Sequence, residues 1–316
     1  MLWGMKGYLS LLLLGLLLLT VPNLKAAEDR TWTSSDGQTL EGSLEEVSET
    51  EVRIRRVDGR TFNIPLERLS AEDQAYAQQV LMDQQRMNGF EEGPYAEAIR
   101  DEWVVFPADE NGLIYQIYGS KKLSREDGPV PLYVYLHGAG ARATEVEPGK
   151  VEPLGKRITA EDRYDDTPCV VLVPLCAPDV FWGSQVKQLE GLIDQVVNSL
   201  PIDRDRIYLA GYSMGARGVG SLIESRPSHY AVAAFADGEA KPEWAEKVTS
   251  AVWLWFSGER NMDGAQKTAD AFEAAGKTVH LELFPDLTHN QIGYQMAQDE
   301  ELYGWIFEQR RIKSEE

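Results

Sequence analysis

The chain has 316 residues, with 31 lysines and arginines against 51 aspartates and glutamates, and a formal net charge of −20. So acidic a surface repels phosphate backbones and excludes nucleic acid as a partner. Two cysteines exclude a disulfide-stapled scaffold, so an apolar core must hold the fold, and the length admits one large domain beside a small one.

Lys6 precedes an apolar run from Leu9 to Val21, which Pro22 and Asn23 end and Leu24-Lys25-Ala26 follows. This is the anatomy of a secretory signal peptide. The run falls short of the roughly 20 apolar residues of a membrane span. We expect residues 1–26 to be removed after Ala26, the protein to be periplasmic or extracellular, and no stable membrane insertion afterwards.

Residues 27–72 read as a small all-β barrel module. Asp36-Gly37 and Asp58-Gly59 are hairpin turn signals. Between them Glu51-Val52-Arg53-Ile54-Arg55 alternates polar and apolar residues, the period of a half-buried strand. Ile64-Pro65-Leu66 ends the sheet, and Ser70 to Asp73 forms a capping box that opens a helix. Residues 73–94, polar and helical in character with a Glu91-Glu92-Gly93-Pro94 turn, read as a linker.

Residues 95–316 alternate strands and helices. Glu102 to Phe106 and Leu113 to Tyr118 read as an opening pair of strands. Short apolar runs follow at Leu132–Leu136, Val170–Val173, Ile207–Ala210, Val232–Phe235, Val252–Phe256 and Val279–Phe284. Runs apolar on both faces suit a mostly parallel sheet covered by helices. Val186, Leu189, Ile193, Val196 and Leu200 recur at helical spacing, as do Leu302, Trp305 and Ile306. The fold class is therefore α/β, with a mostly parallel central sheet flanked by helices. Cys169 and Cys176 sit at the two ends of one strand. Seven extended residues span about 23 Å, beyond the roughly 7 Å that a disulfide allows, so they do not pair.

Chemistry concentrates at three loops. Gly211-Tyr212-Ser213-Met214-Gly215 follows a strand and precedes a helix, the setting of a nucleophile elbow. A serine on so sharp a turn needs glycine two residues away on each side. The helix start aims free N–H groups at developing negative charge. His137-Gly138-Ala139-Gly140 follows an earlier strand, where an oxyanion loop belongs, which makes the N–H groups of Ala139 and Met214 the expected donors. His137 itself reads as a structural core histidine. Pro285-Asp286-Leu287-Thr288-His289-Asn290 lies between the last strand and the last helix, which makes His289 the expected general base. His229 and His280 read as structural. No two histidines share a metal-like spacing, and no cofactor is implied.

The acid is less legible. It is expected after the strand Val252 to Phe256, in Ser257-Gly258-Glu259-Arg260-Asn261-Met262-Asp263-Gly264. Asp263 ranks first, Asp237 second, and an Asn261 that only orients the ring third. Ala177-Pro178-Asp179-Val180-Phe181-Trp182 follows a strand at the catalytic edge, and Trp182 is either a substrate-stacking residue or a packing anchor.

Two resemblances add to this reading. The stretches Arg30-Thr31-Trp32-Thr33, Leu40-Glu41-Gly42, Val57-Asp58-Gly59-Arg60-Thr61-Phe62 and Ile64-Pro65-Leu66-Glu67-Arg68-Leu69-Ser70 resemble the homology-1 domain of a eukaryotic endocytic adaptor. That resemblance implies a Src-homology-type barrel used as a spacer or docking module, with a protein or peptide as its ligand in the docking case. The stretches Pro131 to Gly140, Pro201 to Tyr208 and the serine elbow resemble the esterase and peptidase branch of the α/β hydrolases, which includes polyhydroxybutyrate depolymerase-like and feruloyl-esterase-like proteins. This implies hydrolysis of a small-molecule or polysaccharide ester by a Ser-His-acid mechanism. A serine peptidase is the nearest alternative. The branch commonly carries His-Gly-x-x-Asp where this chain has Ser257 and Asn261. That departure leaves open a catalytically impaired fold used for binding.

Overall fold

The computed structural model describes residues 29–92, 95, 104–108, 111–119, 129–145 and 169–312. The signal-peptide reading and the start of the strand expected at Glu102 lie outside them. No helix among the described residues is long and apolar enough to cross a membrane. The chain divides into two compact units, residues 1–82 and 83–316.

The first unit is a four-stranded antiparallel sheet in the order β1 (Arg30–Thr33), β2 (Thr39–Val47), β3 (Glu51–Arg56) and β4 (Thr61–Pro65). Gly37 and Gly59 sit at φ +84° and +83° in the turns, where a side chain would be strained. Alternation along β3 buries Val52 and Ile54 with Trp32, Leu44 and Val47. Helix α1 (Ala71–Glu92) starts on Ser70, whose hydroxyl accepts the Asp73 N–H at 3.2 Å. Asp73 is buried and accepts the Thr33 N–H and the Arg30 guanidinium, both at 2.6 Å. Ala77 and Leu81 join the small core, so the first turns of the segment expected to be a linker are packed on the sheet. An open groove of about 290 Å³ runs over this unit, lined by residues that include Gln38, Leu40, Phe62, Ile64 and Arg68.

The second unit is built on an eight-stranded sheet. Its strands are β5 (Val104–Phe106), β6 (Ile114–Gly119), β7 (Val130–Leu136), β8 (Val170–Leu175), β9 (Ile202–Tyr212), β10 (Val232–Ala236), β11 (Ala251–Ser257) and β12 (Val279–Phe284). Their spatial order is β12-β11-β10-β9-β7-β8-β6-β5. The six strands β12, β11, β10, β9, β7 and β8 are parallel, and β6 runs antiparallel to both its neighbours. The helices are α2 (Val186–Ser199), α3 (Met214–Ser225), α4 (Trp244–Lys247), α5 (Met262–Ala274), α6 (His289–Gln298) and α7 (Glu300–Glu308).

The side-chain period of two divides the core into two layers. Along β7, Leu132, Val134 and Leu136 face one layer together with Leu209, Phe235, Leu254 and the apolar stripes of α2 and α3. Tyr133 and Tyr135 face the other, with Ala210, Trp253, Trp255 and Leu302, Tyr303 and Ile306 of α7. This is why the strands read as unbroken apolar runs. Cys169 and Cys176 are buried free thiols at the start and just beyond the end of β8. The connection from β8 returns past β7 to β9, so the order of strands reverses there. The carboxyl edge at such a reversal is where open α/β sheets place their sites.

Candidate active site

Ser213 caps β9 at φ 57° and ψ −113°, and α3 begins at the next residue. This conformation is sparsely populated for a side-chain-bearing residue and needs room on both sides. A Cβ on Gly211 would lie 2.4 Å from the Gly215 carbonyl carbon, and one on Gly215 would lie 1.8 Å from the Leu136 carbonyl oxygen. Neither overlap is tolerable, so both glycines of the motif are required by packing. The serine N–H donates to the Ala236 carbonyl at 2.8 Å, which pins the elbow to β10.

His289 is the first residue of α6. Its Nε2 lies 2.8 Å from Ser213 Oγ, and its Nδ1 lies 2.8 Å from Asp237 Oδ2. Tyr212 fixes the ring: its hydroxyl donates to the His289 carbonyl at 2.8 Å, and the two rings stack with centroids 4.9 Å apart. Burial raises the Tyr212 pKa, so it stays a donor. The His289 N–H donates to Glu259 Oε2 at 2.7 Å, a carboxylate at a helix N-terminus.

The structure corrects the ranking of the acids. Asp237, just past β10 at φ 51°, has its side chain fully buried and accepts the Ser257 N–H at 2.7 Å and the Ser257 hydroxyl at 2.6 Å as well as meeting His289. Asp263 is exposed in the first turn of α5, and Asn261 caps that helix by accepting the Gly264 N–H at 2.9 Å. The cap winds Asp263 into the helix and engages the Asn261 oxygen, so neither reaches the imidazole. Ser257, Tyr212 and Glu259 escaped the sequence reading. For Ser257 a signal was present, since it stands where the branch that the sequence resembles commonly carries a histidine.

Arg260 is a second neighbour of the His289 ring. Its Nε lies 3.2 Å from His289 Nδ1 and 4.0 Å from Asp237 Oδ2. One ring nitrogen serves one of these partners, and the buried carboxylate is both closer and charged. Nδ1 therefore carries the proton toward Asp237, Nε2 offers its lone pair to the Ser213 hydroxyl, and Arg260 is a cation pressed against the ring edge.

Ala139 and Met214 each open a helical turn, so their N–H groups have no intrahelical acceptor. The loop lies beside the nucleophile, since a Cβ on Gly138 would come within 3.6 Å of Ser213 Cβ. His137 is buried beneath it. Cys176 N–H donates to its Nε2 at 3.1 Å, which leaves Nδ1–H to donate to the Gly138 carbonyl at 2.8 Å. Trp182 is fully buried, with its Nε1 donating to the His137 carbonyl at 3.0 Å and its Cβ against Gly218. This corrects Trp182 as a substrate-stacking residue: it anchors the loop from beneath, while Phe181 beside it is 60% exposed.

Burial pushes the His137 pKa down to about 4. The unfolded chain takes up this proton below about pH 6.5, whereas the folded chain resists until about pH 4. The stability so conferred is complete above pH 6.5 and shrinks as pH falls toward 4, by about 3 kcal/mol in all. Urea unfolding between pH 7 and 4.5 is expected to show a shallower acid loss in His137→Gln than in the natural protein. Equal slopes would contradict this account.

No protein-family model and no curated protein matches the sequence. Solved structures share the fold. A thermostable esterase superposes with a TM-score of 0.60 at 19% identity, over 86% of this chain and 74% of the esterase. The acylaminoacyl peptidase of Pyrococcus horikoshii gives 0.51 at 12% identity, over 88% of this chain and 49% of the peptidase, so the chain spans about half its length. At these identities the likeness is one of fold.

Proposed function

We propose that the protein is an exported serine hydrolase that cleaves carboxylic esters, with acyl groups on a polysaccharide or another small ester as substrate. The observation that carries this reading is the hydrogen-bonded series Ser213–His289–Asp237, with 2.8 Å at each link. Ser213 Oγ attacks the ester carbonyl while His289 Nε2 takes its proton. Asp237 holds the productive tautomer and stabilises the imidazolium. The N–H groups of Ala139 and Met214 receive the oxyanion. His289 then gives its proton to the leaving alcohol, and a water molecule repeats the sequence on the acyl-enzyme. The departure at Asn261 favours a binding-only fold, while the buried Asp237 carboxylate on His289 supports the hydrolytic reading.

A fluorophosphonate probe is expected to label the folded protein stoichiometrically on Ser213, with labelling lost in Ser213→Ala. Absence of labelling in correctly folded protein would overturn the proposal. A panel of acetyl, feruloyl and longer-chain aryl esters then ranks acyl groups.

A further inference from the structure

Among the described residues, Arg206, Arg226, Arg310 and Arg311 of the second unit hold carboxylates, while Arg204 bonds the Asn198 amide oxygen at 2.6 Å. Arg206 and Arg226 meet Asp203 and Asp194 at 2.7 Å, while Arg311 and Arg310 meet Asp205 and Asp203 at 2.8 and 3.1 Å. In a chain with 20 excess acids this is the expected fate of a guanidinium. Three that flank Ser213 differ. Among the described residues, Arg142 bonds to the carbonyls of Ala139 and Val180 and lies over the exposed Phe181 ring. Arg217, one turn after Ser213, is exposed and has no carboxylate partner among the described residues. Arg260 approaches Asp237 only to 4.0 Å, and that carboxylate is already occupied by Ser257 and His289.

Arg260 is the best placed of the three. Its Nε faces a ring nitrogen whose proton belongs to Asp237, so this contact satisfies neither group. Among the described residues the terminal nitrogens of its fork hold no partner, and its side chain is 37% exposed. The adjacent Glu259 carboxylate is engaged with the His289 N–H. A planar, unmatched fork at a solvent-facing site is built for bidentate carboxylate binding. The side of the substrate it meets follows from the chemistry. The imidazole delivers its proton from Nε2 to the leaving alcohol, so the alcohol part of the ester lies beside His289, and Arg260 stands against the same ring at Nδ1, within reach of a group carried further out on that alcohol.

We infer that the preferred substrate is an ester whose alcohol part bears a carboxylate, and that Arg260 is the residue that selects it. This rests on the hydrolase reading. The anion draws the guanidinium off the ring edge, leaving Nδ1 to Asp237 alone, while Arg142 and Arg217 add attraction at the mouth of the site.

The test compares 4-acetoxybenzoate with the uncharged 4-acetoxybenzamide in the full-length protein. The ratio of kcat/KM for acid over amide is expected to exceed one in the natural protein and to fall about tenfold in Arg260→Gln. Arg260→Lys, which keeps the charge without the fork, is expected to lie between them. General effects of the substitution on turnover cancel in the ratio. A fall of threefold or more supports the inference, and a smaller one overturns it. A parallel measurement by calorimetry uses Ser213→Ala, with and without Arg260→Gln. A binding preference for the acid that depends on Arg260 sustains the anion site even where no ester is turned over, so failure of hydrolysis and failure of the anion site are read separately.

Discussion

Asp237→Asn is expected to lower kcat on any ester substrate by about 10⁴, the order found when the aspartate of a serine protease triad becomes an amide. The physical reason is specific to this site. The Asp237 carboxylate accepts three hydrogen bonds, from Ser257 N–H, Ser257 hydroxyl and His289 Nδ1–H. An amide presents an NH₂ group to at least one of these donors. If it faces the ring, Nδ1 becomes the acceptor, the proton moves to Nε2, and the base no longer receives the Ser213 hydroxyl. Arg260 at 3.2 Å favours that unproductive tautomer further, because its Nε–H also seeks a lone pair on Nδ1. Asp263→Ala, in contrast, removes an exposed side chain from the first turn of α5 and is expected to change kcat by less than threefold. Steady-state kinetics on the two variants separates the acids. Comparable losses in both would refute the assignment.

Gly215→Ala is expected to destabilise the second unit by more than about 4 kcal/mol, at the extreme of single substitutions. The added methyl would sit 1.8 Å from the Leu136 carbonyl oxygen and 3.0 Å from that of His137. Backbone atoms of a central strand cannot step aside, so α3 must move off the sheet. That movement displaces the Met214 N–H and reshapes the turn that carries Ser213. In a unit of this size a loss of 4 kcal/mol lowers Tm by about 8 to 16 °C. Thermal unfolding checks the stability, and fluorophosphonate labelling of whatever folds checks the elbow. An unchanged Tm would mean that α3 approaches β7 less closely than described.

The sequence carried the architecture well because its signals are local. Apolar runs such as Tyr133 to Leu136 and Trp253 to Phe256 are buried on both faces, and this leaves a compositional trace that does not depend on partners. The elbow was legible because its motif is contiguous: Gly211 is required by Gly215 within five residues, although the need for glycine at 215 comes from the Leu136 carbonyl on β7. The acid was not, because its position is decided between strands. Asp237 and Ser257 lie 20 residues apart and meet only because β10 and β11 are parallel neighbours. Asp263, close in sequence to the expected place, is drawn into a helix by the Asn261 cap. Trp182 was legible as a large residue at the catalytic edge, but the direction of its ring depends on Gly218, a helix away.

The anchoring of Asp237 to Ser257 has a consequence for how this scaffold can diversify. Where the acid sits in the loop after β11, every change to that loop risks the proton relay. Here the relay is fastened at the strand end, and residues 258–261 are exposed beyond it. That short segment touches the relay only at its outer side, through Glu259 on the His289 N–H and Arg260 on the ring edge, so changes there are expected to retune recognition and the histidine together while the buried acid keeps its seat.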